Sequence, residues 1–299
     1  MAVDEFSETS APGDGGQTRT GVTARRIVLG SQLRRLREAS EITRTDAGYT
    51  IRASESKISR LELGRVGFKE RDVADLLTMY GVTDPGEREL FLDMVRHANV
   101  PGWWRRYSPV MPNWFEDYVG LEESASRIQT YELQLIPGLM QTEDYARAVA
   151  THGRPEFAPE ETERRISLRM RRQQVLHRID APKLWAVLDE SVLHRAVGGR
   201  RVLLAQIERL LEISKLPNIT LQILPYRLSG YVAEGSFTIL RFAEPELPDV
   251  VYVEHLGGAL YLDRLEESEL YGRVSDLLAV EADTPDRSRQ RLVKMRAEI

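Results

Sequence analysis

The sequence contains no cysteine. That excludes disulfides and thiolate metal sites, and nothing points to an oxidising compartment. Long apolar runs are missing too, with no stretch near the roughly 18 consecutive apolar residues of a membrane span. Residues 1–20 are acidic and rich in Ser, Thr and Gly, without the basic start and apolar run of a signal peptide. Histidine is scarce. His97, His152, His177, His194 and His255 are scattered without metal-ligand spacing, and His194, four residues after Glu190, makes at most one pair. Gly198-Gly199 and Gly257-Gly258 are isolated doublets outside any phosphate-loop context. Asp189 and Glu190 are neighbouring acids with no Ser-His-Asp grouping around them. The expectation is a cytoplasmic protein that is not an enzyme and carries no metal or cofactor.

What is present suits two domains with real cores: 299 residues, 42% of them hydrophobic. The net charge is −5, but its distribution is uneven. Residues 20–83 hold twelve Lys and Arg against eight Asp and Glu, a local +4, while residues 1–19 carry −3 and the remainder −6. A basic excess confined to one segment fits a DNA footprint, although +4 alone is common for a small domain.

The expected organisation is α+β. Residues 1–20 read as a disordered tail, 21–98 as an all-α five-helix domain, and 99–112 as a linker. Residues 113–299 read as a mixed domain of helices and a small antiparallel sheet. Leu29, Leu33 and Leu36 recur at helical spacing from Arg25 onward. Thr43-Arg44-Thr45-Asp46 fits a capping box. Ser54 is a good N-cap for a third helix ending at Gly64. A fourth helix runs from about Lys69 to Tyr80 and a fifth from about Pro85 to His97. The stretch Asn99–Trp114 holds Pro101, Pro109 and Pro112 and three tryptophans, which suggest that the linker is packed down. Beyond it, helices are expected over Tyr118–Tyr131, Thr142–Thr151, Glu160–Arg178 and Arg201–Ser214, with a strand at Leu184–Leu188. Ile219–Leu224, Ser236–Phe242, Val250–Glu254 and Ala259–Leu262 read as an antiparallel meander, and two helices close the chain.

The most informative constellation is Leu33-x-x-Leu36-Arg37, Ile42-Thr43, then Ser54-Glu55-Ser56-Lys57-Ile58-Ser59-Arg60-Leu61-Glu62-Leu63-Gly64-Arg65, then Leu76-Leu77 and Tyr80-Gly81-Val82. It resembles the helix-turn-helix of the phage-repressor (Cro/Xre) family over roughly residues 27–83. A recognition helix enters the major groove N-terminus first, so its early side chains must be exposed and its other face apolar. Ile58 and Leu61 supply the apolar face. The resemblance implies that Glu55, Ser56 and Arg60, with Lys57 and Ser59 beside them, form the base-reading set. Arg60 suits a bidentate bond to guanine, and Glu55 suits the amino group of cytosine. Thr43, Arg44, Ser54 and Arg65 match phosphate-gripping positions, and Arg37 with Glu62 matches a buried structural salt bridge. Blander roles stand beside these: Glu55 also suits the positive end of a helix, and Ser54 also suits a cap alone. Two residues depart from the pattern. Gly48 stands where alanine is usual, at a cost of roughly 1 kcal/mol in helix propensity. Arg52 stands at the usual turn glycine, which implies strain if the backbone there is left-handed.

The second domain resembles another family. Pro137-Gly138-Leu139-Met140-Gln141-Thr142-Glu143-Asp144-Tyr145-Ala146-Arg147 is similar to the "PGLLQT…YAR" signature of actinobacterial WhiJ-like regulators, with further matches as far as Val251-Tyr252-Val253-Glu254. The resemblance implies a regulator, often paired with a small acidic partner protein in an antitoxin-like arrangement. The block reads as a fold signature, or else as a partner or ligand groove around Gln141, Tyr145 and Arg147. The Arg-rich stretch Glu160–Arg178 reads as a solvated helix tied to nearby acids, or as a docking face for an acidic partner. Three functional expectations follow. One is a dimeric, sequence-specific regulator on double-stranded DNA, its second domain serving dimerisation, partner or ligand binding. The alternative is an antitoxin-like protein whose main task is holding that partner, with DNA binding for autoregulation. The third is a ligand-gated sensor.

Overall fold

Ser, Thr and Asp caps set the starts of the leading helices. A computed structural model describes residues 22–99, 102–153, 157–226, 233, 235–243 and 247–299; the expected tail over 1–20 lies outside them. Among the described residues the chain opens with α1 (Val22–Ala39), α2 (Arg44–Thr50), α3 (Glu55–Glu62), α4 (Glu70–Met79) and α5 (Pro85–Ala98). Thr43 Oγ1 accepts from Asp46 N at 3.1 Å, the N-cap half of the expected capping box, and the Asp46 carboxylate accepts from the Thr43 hydroxyl at 2.6 Å rather than from its backbone N–H. Ser54 Oγ accepts from Lys57 N at the start of α3, and Asp84 Oδ2 accepts from Glu87 N at the start of α5, where Pro85 is the first residue. Helix α3 ends in a Schellman turn: Gly64 N donates to Leu61 O and Arg65 N to Arg60 O, each at 2.9 Å, with Gly64 at φ 65°. Leu29, Leu33, Ala47, Ile58, Leu61, Val73, Leu76 and Leu77 form the core of this unit. Each fully buried leucine or isoleucine contributes about 1.5–3 kcal/mol over exposure.

The expected linker is structured. Trp103–Val110 forms a 3-10 segment whose Trp104 and Tyr107 pack with Val119 and Leu168. Helix α6 (Asn113–Ser124) follows, then β1 (Arg127–Glu132). The helix expected over Tyr118–Tyr131 is thus corrected to a helix that stops before Ala125 and a strand. Strand β1 is central and buried on both faces, so its run Ile128–Tyr131 carries no period that separates strand from helix.

The remaining elements are α7 (Glu143–Gly153), α8 (Pro159–Arg172), β2 (Lys183–Asp189), α9 (Ser191–His194), α10 (Arg200–Ile213), β3 (Ile219–Leu224), β4 (Phe237–Arg241), β5 (Val250–His255), β6 (Gly258–Leu262), α11 (Leu265–Glu281) and α12 (Pro285–Glu298). The strands form one six-stranded sheet in the order β3-β2-β1-β4-β5-β6. The fold is therefore α+β, as expected, but the sheet is mixed rather than wholly antiparallel. Strands β4, β5 and β6 make the expected meander, whereas β3 pairs in parallel with β2, and β2 in parallel with β1. Parallel neighbours need a long crossover, and α7–α8 and α9–α10 provide the two. One face of the sheet packs Ile128, Leu184, Ala186, Leu188 and Leu240 under Tyr145, Leu203, Ile207 and Leu292. The other packs Tyr131, Val187, Phe237, Ile239 and Val251 under Leu278 of α11.

The two units share one helix. Ile27 of α1 belongs to the core of the second unit, and α1 packs along α6.

Candidate nucleic-acid interface

Helix α3 presents two unlike faces. Ile58 and Leu61 are buried, whereas Ser54, Glu55, Ser56 and Arg60 are exposed. Among the described residues neither Glu55 nor Arg60 has an ion-pair partner, so both charged groups are free to meet a ligand. Lys57 and Ser59 are half-exposed, and Lys57 Nζ is held by Asp72 Oδ2 of α4 at 3.2 Å. The structure therefore splits the expected base-reading set: Glu55, Ser56 and Arg60 stand clear, while Lys57 is engaged within the domain.

The orientation of α3 depends on one buried carboxylate. Glu62 Oε1 accepts from Arg37 Nε at 2.5 Å, and Glu62 Oε2 accepts from Arg37 Nη2 at 3.2 Å and Arg44 Nε at 3.0 Å. The hydrogen bond to Glu62 raises the Arg37 guanidinium above its ordinary range, with burial opposing it. Arg37 Nη1 also donates to Ile42 O at 2.9 Å. One acid thus ties α1 and the start of α2 to the end of α3. Arg44 spends one nitrogen on this tie and remains part-exposed. It lines an open depression with Arg34, Thr43, Thr45 and Glu55, next to the leading end of α3.

The helix-to-helix turn carries the strain that its sequence implies. Arg52 sits at φ 53°, in the left-handed region, between Ile51 and Ala53. Gly48 has a different explanation from the one its helix propensity suggests. A Cβ there would lie 2.7 Å from the carbonyl oxygen of Ala53, whose own N–H bonds to Gly48 O at 2.8 Å. The close approach of turn and helix requires the missing side chain.

Arg65, expected among the phosphate contacts, is exposed and has a contact within the protein. Its guanidinium lies over the Tyr261 ring of β6, 5.3 Å from the ring centre, facing the second unit. Nothing in the sequence signals this contact, because Tyr261 lies on a distant strand with no motif around it. The same holds for Asp117 of α6, which lines one cleft with Arg65 and Tyr261.

The groove expected around Gln141, Tyr145 and Arg147 is not formed by those residues together. Gln141 and Tyr145 are buried. Gln141 Nε2 donates to Ile136 O at 2.6 Å, and its Oε1 accepts from Arg169 Nη1 at 2.9 Å. Tyr145 OH accepts from Ile136 N at 3.3 Å. Arg147 lies outside, paired with Glu143 and Glu163. Gln206, fully buried, donates to Met140 O and accepts from Thr142 N. The block is a knot of internal hydrogen bonds. The α8 arginines follow suit. Arg165 pairs with Glu161, and Arg172 makes a buried bidentate pair with Glu122 at 2.7 and 2.8 Å. Arg178, beyond the helix, pairs with Glu123.

Residues 28–91 match a family described as a helix-turn-helix domain. Residues 115–294 match the family described as a domain of unknown function, DUF5753. The chain belongs to the DUF5753 family. The DUF5753 domain spans α6 through most of α12 and contains the whole sheet. Neither the curated proteins nor the solved structures compared with the chain include a match. Among the described residues no group of three or more His, Asp or Glu could hold a metal, and no helix is long and apolar enough to cross a membrane.

Proposed function

We propose that the protein is a sequence-specific regulator of transcription that binds double-stranded DNA through α3. The observation that carries this is the leading face of α3. Glu55, Ser56 and Arg60 project together from a helix whose rear face and C-terminal end are fixed, and Thr43 and Arg44 flank it where phosphates would lie. Arg60 and Glu55 read base edges, and Ser56 assists. The DUF5753 domain regulates rather than catalyses: Asp189 and Glu190, the acids that end β2, are engaged in the fold by Ser191 N, Tyr226 N and Arg291.

A single module of this size reads few base pairs, so a two-fold dimer on a palindromic site is the working form. Exposed Leu270, Leu277 and Val280 on α11 support a contact between two copies. Sedimentation of the full chain tests this, since a monomer at all concentrations would contradict it. The antitoxin-like reading, with a small acidic partner as the main ligand, draws less support, because most of the arginines that suggested it are paired internally.

The test of DNA binding is fluorescence anisotropy of the full chain on genomic duplex fragments across a salt series. The expected result is saturable binding that weakens with salt on every fragment and is tighter on a subset. Equal affinity for all fragments, or none at low salt, would overturn the proposal.

A further inference from the structure

Between the two units lies a cleft of about 360 Å³, within the range of small-ligand pockets, which favour domain interfaces. Ile27 of α1, Leu121 of α6 and Val250 of β5 give it an apolar floor, and all three are otherwise buried. The end of α3, from Glu62 to Arg65, forms one wall. Opposite stand Tyr261, Asp117 and Asp263.

The charges of the cleft are unequally satisfied. Arg34 is paired with Glu38 at 2.9 Å, Glu62 is held by two arginines, and Arg65 rests on the Tyr261 ring. Arg35 reaches the rim from α1 but is exposed. Asp117 and Asp263, by contrast, are only half-exposed, and among the described residues neither has a hydrogen bond or ion pair. Burial pushes the Asp117 carboxyl up to about 6, against the attraction of Arg65. A half-buried carboxylate beside an aromatic ring and an apolar floor gains most from a cation that brings its own apolar surface.

We propose that this cleft binds a small amphipathic amine. Its ammonium group is held by Asp117, with Asp263 beside it, its apolar body lies on Ile27, Leu121 and Val250, and it takes the place of Arg65 on the Tyr261 ring. Because the walls belong to two units, an occupant that fits one arrangement better shifts the end of α3 relative to the DUF5753 domain and releases Arg65. That consequence rests on the DNA-binding reading; occupancy of the cleft does not.

The test is calorimetric titration of the full chain with phenethylamine and hexylamine above neutral pH, with phenethyl alcohol and phenylpropionate as neutral and anionic counterparts. The expected result is that at least one amine binds and that both counterparts bind roughly ten-fold or more weakly, the loss of one charged hydrogen bond. Asp117→Asn should weaken the amine by a similar factor while its ligand-free melting temperature stays near that of the parent. Arg65→Ala should tighten the amine, since the resident cation is gone. No binding by either amine, equal binding of phenylpropionate, indifference to Asp117→Asn, or weaker binding by Arg65→Ala would each overturn the proposal. Anisotropy on DNA with and without the amine separates the two readings. Binding that leaves DNA affinity unchanged supports the site and counts against the coupling alone.

Discussion

Arg65, the residue after the glycine that closes α3, holds its guanidinium 5.3 Å from the centre of the Tyr261 ring in the DUF5753 domain. A cation suited to a phosphate is thus engaged by the DUF5753 domain. Tyr261→Leu should free it. Non-specific affinity for duplex DNA should rise at low salt, and the salt slope should steepen by about one ion. An anisotropy salt series unchanged by the substitution would remove Arg65 from the DNA surface.

Arg44→Ala should act differently from a loss of base contact. Arg44 touches Glu62 and borders the leading end of α3, so its removal should weaken all duplexes alike and flatten the salt slope. A loss confined to one sequence would contradict the phosphate role.

Glu62→Ala takes the buried carboxylate from Arg37, which keeps Glu38 at 3.2 Å and the Ile42 carbonyl, and releases Arg44. Breaking a buried pair on one side costs about 3–5 kcal/mol, and the partners that remain put the expected loss at the lower end of that range. Urea unfolding should show that loss with the slope on denaturant unchanged, and a loss under about 1 kcal/mol would show the pair to be peripheral.

Gly48→Ala sets propensity against sterics. Propensity alone promises a gain of roughly 1 kcal/mol, but the new Cβ would sit 2.7 Å from the Ala53 carbonyl oxygen. The melting temperature should fall. At Arg52, held at φ 53°, glycine should raise it, since a side chain in the left-handed region costs about 1–2 kcal/mol. The opposite signs would mean that the turn is built otherwise.

Glu132, at the end of β1, gives a pH signature. Burial pushes its carboxyl up to about 7, a hydrogen bond from Ser236 opposes the shift, and Glu254 adds to it. The folded chain therefore keeps a proton that the unfolded chain has already released. The stability from this group is present below the ordinary carboxylate range and lost as the pH rises through about 7. Glu132→Gln cannot ionise, so its melting temperature should gain on the parent between about pH 5 and about pH 8. Parallel curves would mean that Glu132 is hydrated.

Local signals carried much of this structure, and long-range ones did not. Thr43, Ser54 and Gly64 act through neighbours within a few residues, so the helix-turn-helix was legible from caps, apolar spacing and its resemblance. Strand β1 was not, because burial on both faces erases the alternation that marks a strand. The partners of Gln141 and Tyr145 were equally hidden, since a buried polar side chain and an exposed one look alike in a sequence. The cleft depends on Asp117, Tyr261 and Arg65, which only the tertiary fold brings together.

The proposed regulator rests on Arg60 as a base reader. It is tested most directly by selecting bound duplexes from a random pool with the parent protein and with Arg60→Ala. The parent should enrich a recurring sequence. The variant should lose preference at one position of each half-site, at a cost of about 1–3 kcal/mol there. Enrichment of no sequence by the parent, or an identical sequence from both proteins, would contradict the reading of α3 as the helix that enters the groove.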